Sequence, residues 1–229
     1  METFLGAQTA LVNQNISSVN IGMGKRTIRS AAQYHHGDLK SAVLLAAEKI
    51  LERDGLQAVT LRAVARVVGV SHTAPKNHFG DLMGLLSELA AVGYLRFAAA
   101  LAEAVNSSSG DARDRLRAMG SAYIAFARAH PKLFFLMFHS ERLDMKRPSL
   151  LAAIDESRQS LRTAVISTSE AKPMNPVEVA ARATASWSLV HGLAMLLLDG
   201  RLKNTMASLP GVDVGTFLEA VLDVARVGD

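Results

Sequence analysis

An all-helical fold is predicted for this chain of 229 residues, and three observations carry the prediction. Hydrophobic residues make up 49% of it, with alanine, the best helix former, dominant among them. Apolar residues recur at three- and four-residue spacing, whereas alternating runs of strand formers are few. Ser, Thr, Asp or Asn followed by such a stretch, with glycine closing it, marks one helix after another.

The totals bound the function. The length allows one large domain or two small ones, with a sizeable core. The chain has no cysteine, which excludes a disulfide framework and thiolate metal sites and suits a reducing cytoplasm, the location expected. No uninterrupted apolar run reaches the ~18 residues of a membrane span, so no membrane partner is expected. The formal net charge is only +4, and any nucleic-acid footprint must therefore come from clustered bases.

Residues 1–33 show no sustained period and read as a flexible leader and arm, or as an upstream start with Met23 the working one. Lys25, Arg26 and Arg29 stand just ahead of the first helix, where an arm can follow a DNA backbone or enter the minor groove; a solvated tail is the alternative. The first helix is expected over residues 38–53, capped by Asp38 and ended by Gly55, with Leu39, Val43, Ala46, Ala47, Ile50 and Leu51 on one face. His35 and His36 lack the further ligands a metal would need.

Residues 60–79, TLRAVARVVGVSHTAPKNHF, organise the rest. Thr60 can cap a short helix whose Leu61, Val64, Ala65 and Val68 form an apolar stripe. Gly69 supplies a sharp turn, Val70 can plug the angle, and Ser71 is a good cap for a second helix over residues 73–79. That second helix is polar over much of its surface, the shape of a major-groove reader.

Beyond Gly80, Asp81 should cap a long helix carrying Leu82, Leu85, Leu86, Leu89, Phe97, Leu101 and Val105, stopped by NSSSGD. Asp111 opens a helix with Leu116, Met119, Tyr123 and Phe126 that ends at His130-Pro131, and Pro131 starts a brief aromatic one. A further helix begins near residues 149–151 and ends before KPMNP. Asn175, Pro176 and Glu178 then provide cap, proline and acid for a helix over residues 176–199, closed by Gly200. Asp213 and Thr216 open the last helix, residues 213–227.

The stretch YHHGDLKSAVLLAAEKILERDGLQAVTLRAVARVVGVSHTAPKNHFGDLMGLLSELA, residues 34–90 and about a quarter of the chain, resembles the N-terminal DNA-binding domain of TetR-family regulators, with VS and, six residues on, HF as its distinctive pair. Trp187, His191 and Gly192 of WSLVHG resemble the WHG branch of that family. The resemblance implies a helix-turn-helix domain over residues 34–82 and a larger helical effector-binding and dimerisation domain over residues 83–229, joined through the long helix. It also implies a homodimer through the last two helices, where Ala180, Ala181, Ala183, Ala185 and Ala194 allow close packing, and a small, largely apolar effector. Two residues depart from the family pattern. Lys76 stands where a phosphate-binding tyrosine is usual and Leu82 where a lysine is usual, so DNA binding weaker than the family's is expected.

Phosphate contacts position a reader and base contacts specify the site. Thr60, Ser71 and Thr73, hydroxyls at helix starts, are expected at phosphates, joined by Lys76 and His78; plain capping is the other role of Thr60 and Ser71. His72, Thr73, Ala74 and Asn77 face base edges, Asn77 with the geometry for adenine, and Arg62 is within reach. The ligand set expected in the body is Phe97, Leu101, Tyr123, Phe126, Phe134, Met137, Phe138, Trp187, Ser188 and His191, with Tyr123, Ser188 and His191 as orienting groups. Core packing alone would demand much the same residues.

Catalysis finds little to work with. No metal-binding helix motif, G-x-S-x-G or glycine-rich phosphate loop occurs, and no cofactor or metal is expected. The expected function is that of a dimeric, ligand-responsive regulator, most simply a repressor released from a near-palindromic operator by a small molecule. A helical ligand-binding or protein-interaction module with a weakened reading head is the rival.

Overall fold

The computed structural model describes residues 36–139, 141–168 and 173–224; Lys25, Arg26 and Arg29 lie outside the described residues. Helices and no strands are found among these. They are α1 (His36–Asp54), α2 (Leu61–Val68), α3 (Ala74–Phe79), α4 (Leu82–Ser107), α5 (Ala112–Ala129), α6 (Pro131–His139), α7 (Pro148–Ser167), α8 (Pro176–Leu198), α9 (Lys203–Ala207) and α10 (Val214–Val224), with a single 3-10 turn at Leu56–Ala58.

Local chemistry sets most boundaries. Thr60 Oγ1 accepts the Ala63 N–H at 3.0 Å at the start of α2, and Gly69 ends that helix in the left-handed conformation, φ 77°. Asp81 Oδ1 accepts the Gly84 N–H at 2.7 Å to start α4. Reciprocal capping boxes open α5, through Asp111 and Asp114, and α8, through Asn175 and Glu178. Asp213 Oδ1 takes the Gly215 and Thr216 N–H groups at 2.8 and 3.1 Å ahead of α10.

Three expectations need correction. α1 starts at His36, so Asp38 sits inside it. Ser71 does not cap α3: its Oγ lies 3.1 Å from Thr73 Oγ1, its carbonyl accepts the Ala74 N–H at 3.0 Å, and the helix begins at Ala74. With the helix starting at Ala74, Pro75 falls in its first turn, where the fixed φ is suited and the missing N–H costs no intrahelical bond. The short α9 is absent from the expectations, because five residues are too few to show a period.

The described residues fall within one compact unit. Its core runs without a break from Val43, Ile50, Val64 and Phe79 through Leu85, Leu86 and Leu89 to Phe97, Phe134, Ile154 and Ala194. α4 is the shared member and packs chiefly against α5 and α7. By length and composition α4 could cross a membrane, mean hydropathy 1.5, but 67% of that window is buried, so its apolar surface is used as core. At the α3–α4 corner the packing is closest: a Cβ on Gly84 would run into the Phe79 carbonyl.

Candidate DNA-reading helix and ligand cavity

Pro75 and Phe79 are buried and anchor α3 to the core behind it. Ser71, His72, Thr73, Lys76 and Asn77 are exposed, while Ala74 and His78 are half-buried. Thr60 and Arg62 are exposed at the start of α2. Most of the residues expected to face a duplex are therefore accessible on the α2–α3 pair. Lys76 and Asn77 hold no side-chain hydrogen bond among the described residues. Leu82 is half-buried against the core.

Behind this head, α1 is tied to the body at both ends. Toward its start, Lys40 Nζ lies 2.9 Å from Glu88 Oε2 of α4. The other oxygen of Glu88 accepts Arg147 Nε at 2.6 Å and Ser149 Oγ at 2.7 Å, where α7 begins. Burial works to raise the Glu88 pKa, but the hydrogen bonds from Arg147, Lys40 and Ser149 outweigh it and hold the carboxyl at about 2. At the far end, Lys132 Nζ donates to the Glu52 and Arg53 carbonyls at 2.6 and 3.0 Å, a cation on the last carbonyls of a helix. Glu52 Oε1 in turn accepts the Leu133 N–H at 3.0 Å in the first turn of α6. Two helix ends thus satisfy each other's orphan groups.

α6 and α7 also wall a partly open cavity of about 920 Å³ in the body, bounded further by α4, α5, α8 and α10. The volume suits a small organic molecule. Of the expected ligand set, Phe97, Leu101, Tyr123, Met137, Phe138, Trp187 and His191 line it, and Tyr94, Met119, Leu161 and Val190 join them. Phe126 and Phe134 do not. Phe126 packs edge-on behind Phe97, ring centres 5.2 Å apart, and fully buried Phe134 stacks on His191 at 5.6 Å, so both support the wall.

Three polar groups of the cavity wall, on Tyr123, His191 and Trp187, are engaged with one another. Tyr123 Oη lies 2.8 Å from His191 Nδ1 and accepts the Trp187 Nε1–H at 3.3 Å. Burial raises the Tyr123 pKa above the ordinary tyrosine value, against the Trp187 hydrogen bond, so the phenol stays protonated. Tyr94 Oη donates to the Met137 carbonyl at 2.9 Å, and burial, opposed by the Arg158 charge, lifts its pKa to about 12.

Ser188 is misplaced in the expected set: it is exposed on the opposite side of α8. The serine in the wall is Ser186, two residues earlier and therefore about 200° around the helix. Ser188 belongs instead to an outer stripe with Val177, Ala181, Ala185 and Leu196, exposed at helical spacing, and a Cβ on Gly192 beside it would meet nothing within 4 Å. Of the small residues expected on a dimer face, Ala183 and Ala194 are buried within the chain instead. Among the residues missed, Glu88, Ser186, Arg158 and Arg162 carry the most chemistry. Only Ser186, inside the ASWSLVHG stretch, had a sequence signal close by.

Comparison with known proteins gives a consistent answer. Residues 116–225 match a family model described as "Tetracyclin repressor-like, C-terminal domain"; that description does not bear on the WHG branch. The HTH-type transcriptional regulator YobS of Bacillus subtilis (strain 168) is 23% identical over 197 residues, covering 81% of this chain and 94% of that protein. A solved structure from Rhodococcus sp. RHA1, of unknown function, is 34% identical with TM-score 0.71 over 85% of this chain and 97% of its own. The TetR family transcriptional regulator PfmR from Thermus thermophilus shares the fold, with TM-score 0.57, 20% identity and coverage of 80% and 96%.

Proposed function

We propose that this chain, which belongs to the TetR family of transcriptional regulators, acts in the cytoplasm as a homodimeric repressor that leaves a near-palindromic operator when a small, largely apolar effector enters the body. One observation supports the reading above all. α3 is anchored by buried Pro75 and Phe79 while His72, Thr73, Lys76 and Asn77 stay exposed, so a rigid element presents polar side chains outward. In this reading residues 34–82 are the reading domain, with Asn77, Thr73, His72 and Ala74 at base edges and Thr60, Ser71, Lys76, His78 and Arg62 nearer the phosphates. The arm with Lys25, Arg26 and Arg29 adds backbone contacts.

Two heads must stand about one duplex turn, ~34 Å, apart to read a palindrome, which demands a dimer. The outer stripe of α8, Val177, Ala181, Ala185, Ser188 and Leu196, with Ala220 and Val224 of α10, is the surface offered for it. Small side chains there let two helices approach closely. The effector acts through α6 and α7. Both wall the cavity, and both hold α1, through Lys132 and Glu52 at one end and Arg147, Ser149 and Glu88 at the other. A ligand that binds better when these helices stand differently shifts the spacing of the heads by its differential affinity and no more.

The test is operator affinity measured by fluorescence anisotropy on duplexes from the intergenic DNA beside the gene, across a salt series. Wild type should bind, Asn77→Ala should lose sequence preference, and Lys76→Ala should bind more weakly to all sequences alike. Equal affinity for wild type and both variants would favour the rival, a helical ligand-binding module whose head is weakened by Leu82.

A further inference from the structure

The charge around the cavity is lopsided. Four arginines, Arg113, Arg117, Arg158 and Arg162, line it against two aspartates, Asp114 and Asp223. Several of these are engaged. Arg117 pairs with Glu219 at 2.9 Å and Asp223 at 3.1 Å, and Asp114 Oδ2 accepts the Asp111 N–H at 3.2 Å in the capping box of α5. Arg158 and Arg162 differ. They stand four residues apart on α7, hence on one face of it, and neither has an ion pair among the described residues. Both side chains line the cavity while remaining exposed to solvent, and the Arg158 charge works to lower the pKa of the buried Tyr94 hydroxyl.

A second group is left over in the same wall. Ser186 is 7% exposed and its Oγ has no hydrogen-bond partner among the described residues. Helical hydroxyls commonly turn back to the carbonyl one turn earlier, as Thr184 does onto Ala180 at 2.7 Å. Ser186 does not, and a buried hydroxyl without a partner inside a ligand-sized cavity points to a partner that arrives with a ligand.

Resting on the reading of this cavity as the effector site, we propose that the effector is an amphiphile with an apolar body and an oxyanion head, a carboxylate or a phosphate. The body lies against Phe97, Leu101, Leu161 and Val190. The head takes the guanidinium groups of Arg158 and Arg162, whose planar forks match either oxyanion, and Ser186 Oγ donates to an oxygen of the ligand. A neutral ligand of the same body would leave both arginines unpaired and gain only the apolar burial.

Trp187 is the single tryptophan of the chain and lines the cavity, so its emission reports occupancy. The probes are dodecanoate, dodecyl phosphate, dodecanol and dodecylamine, each titrated below its micelle concentration into the full chain. One or both anions should bind roughly tenfold or more tighter than the alcohol, and the amine more weakly than the alcohol; which anion leads tells carboxylate from phosphate. The double variant Arg158→Gln/Arg162→Gln should erase the anion's advantage while leaving alcohol affinity unchanged, which also shows that the cavity is intact. Arg158→Lys/Arg162→Lys should keep most of it, and Ser186→Ala should weaken anion binding a few-fold. If the alcohol binds as tightly as the anions, or the Gln double variant keeps anion affinity within about twofold, the oxyanion head is wrong and the cavity reading survives. If none of the four probes alters Trp187 emission or is retained in equilibrium dialysis, the effector-site reading fails as well.

Discussion

On α3, Lys76 and Asn77 are exposed and hold no side-chain hydrogen bond among the described residues; in the body, Tyr123, His191 and Trp187 are joined to one another at 2.8 and 3.3 Å. The head is tightly packed behind its outer face, so closely that Gly84 has no room for a methyl group. The body keeps a cavity of about 920 Å³ at the centre of its aromatic cluster. The contrast separates two physical tasks. A surface that must match a rigid partner needs a stiff support and uncommitted donors, whereas an element that must respond to a ligand needs volume to be filled and walls that can shift.

The largest test of this contrast is Gly84→Ala. In an ordinary helix the change would stabilise by up to ~1 kcal/mol. Here the added Cβ meets the Phe79 backbone, so a loss of about 3 kcal/mol is expected by denaturant unfolding, together with loss of operator binding. A gain in stability would show that the corner is loose and the proposed stiffness illusory.

Next comes Asn77→Ala, which should cost about 1–3 kcal/mol of specific operator affinity and change unfolding free energy by no more than about 0.5 kcal/mol. Lys76→Ala should lower the salt slope of binding by ~0.9. Both effects are confined to the head, and a matching fall in thermal midpoint would blur the separation.

The joint between the regions gives a pH signature. Glu88 is held at about 2 in the folded chain, below its ordinary 4.5. A depressed carboxyl stabilises the fold above its unfolded value and loses that contribution as pH falls from about 4.5 toward about 2. Wild type should therefore lose stability over that interval by chemical denaturation, and Glu88→Gln should show a smaller loss there from a lower starting value. Identical pH profiles would mean that the Lys40, Arg147 and Ser149 contacts contribute nothing to the joint.

Smallest is Tyr123→Phe, which removes a buried hydroxyl with two partners. About 1 kcal/mol of stability should go, with a shift in Trp187 emission as its indole N–H loses an acceptor and with operator affinity unchanged. An equal change in operator affinity without any ligand would show that the cavity wall and the head are one rigid body.

Much of this was legible in the residues. Thr60, Asp81, Asp111 and Asn175 cap the helices they were expected to cap, because a cap is a contact within four residues and so is written locally. The apolar faces of α1, α2 and α4 were likewise readable from spacing alone. The turn before α3 was misread because Ser71 looked like a cap, whereas the helix starts at Ala74 with Pro75 in its first turn. The ligand set was read in outline, since aromatics in α4, α5 and α6 must meet somewhere; which of them face a void and which back it is not a property of spacing.

The order of the longer helices, the caps at Thr60, Asp81, Asp111 and Asn175, the buried stripes and the polar character of α3 follow from the sequence by itself, since each rests on interactions between residues a turn apart. Only the tertiary structure decided that Ser186 rather than Ser188 faces the cavity, that Phe126 and Phe134 stand behind its wall, and that Glu88 joins α1 to α7. Those choices depend on how helices rotate and cross against one another, and that is set by the summed packing of the whole core rather than by any one stretch of chain.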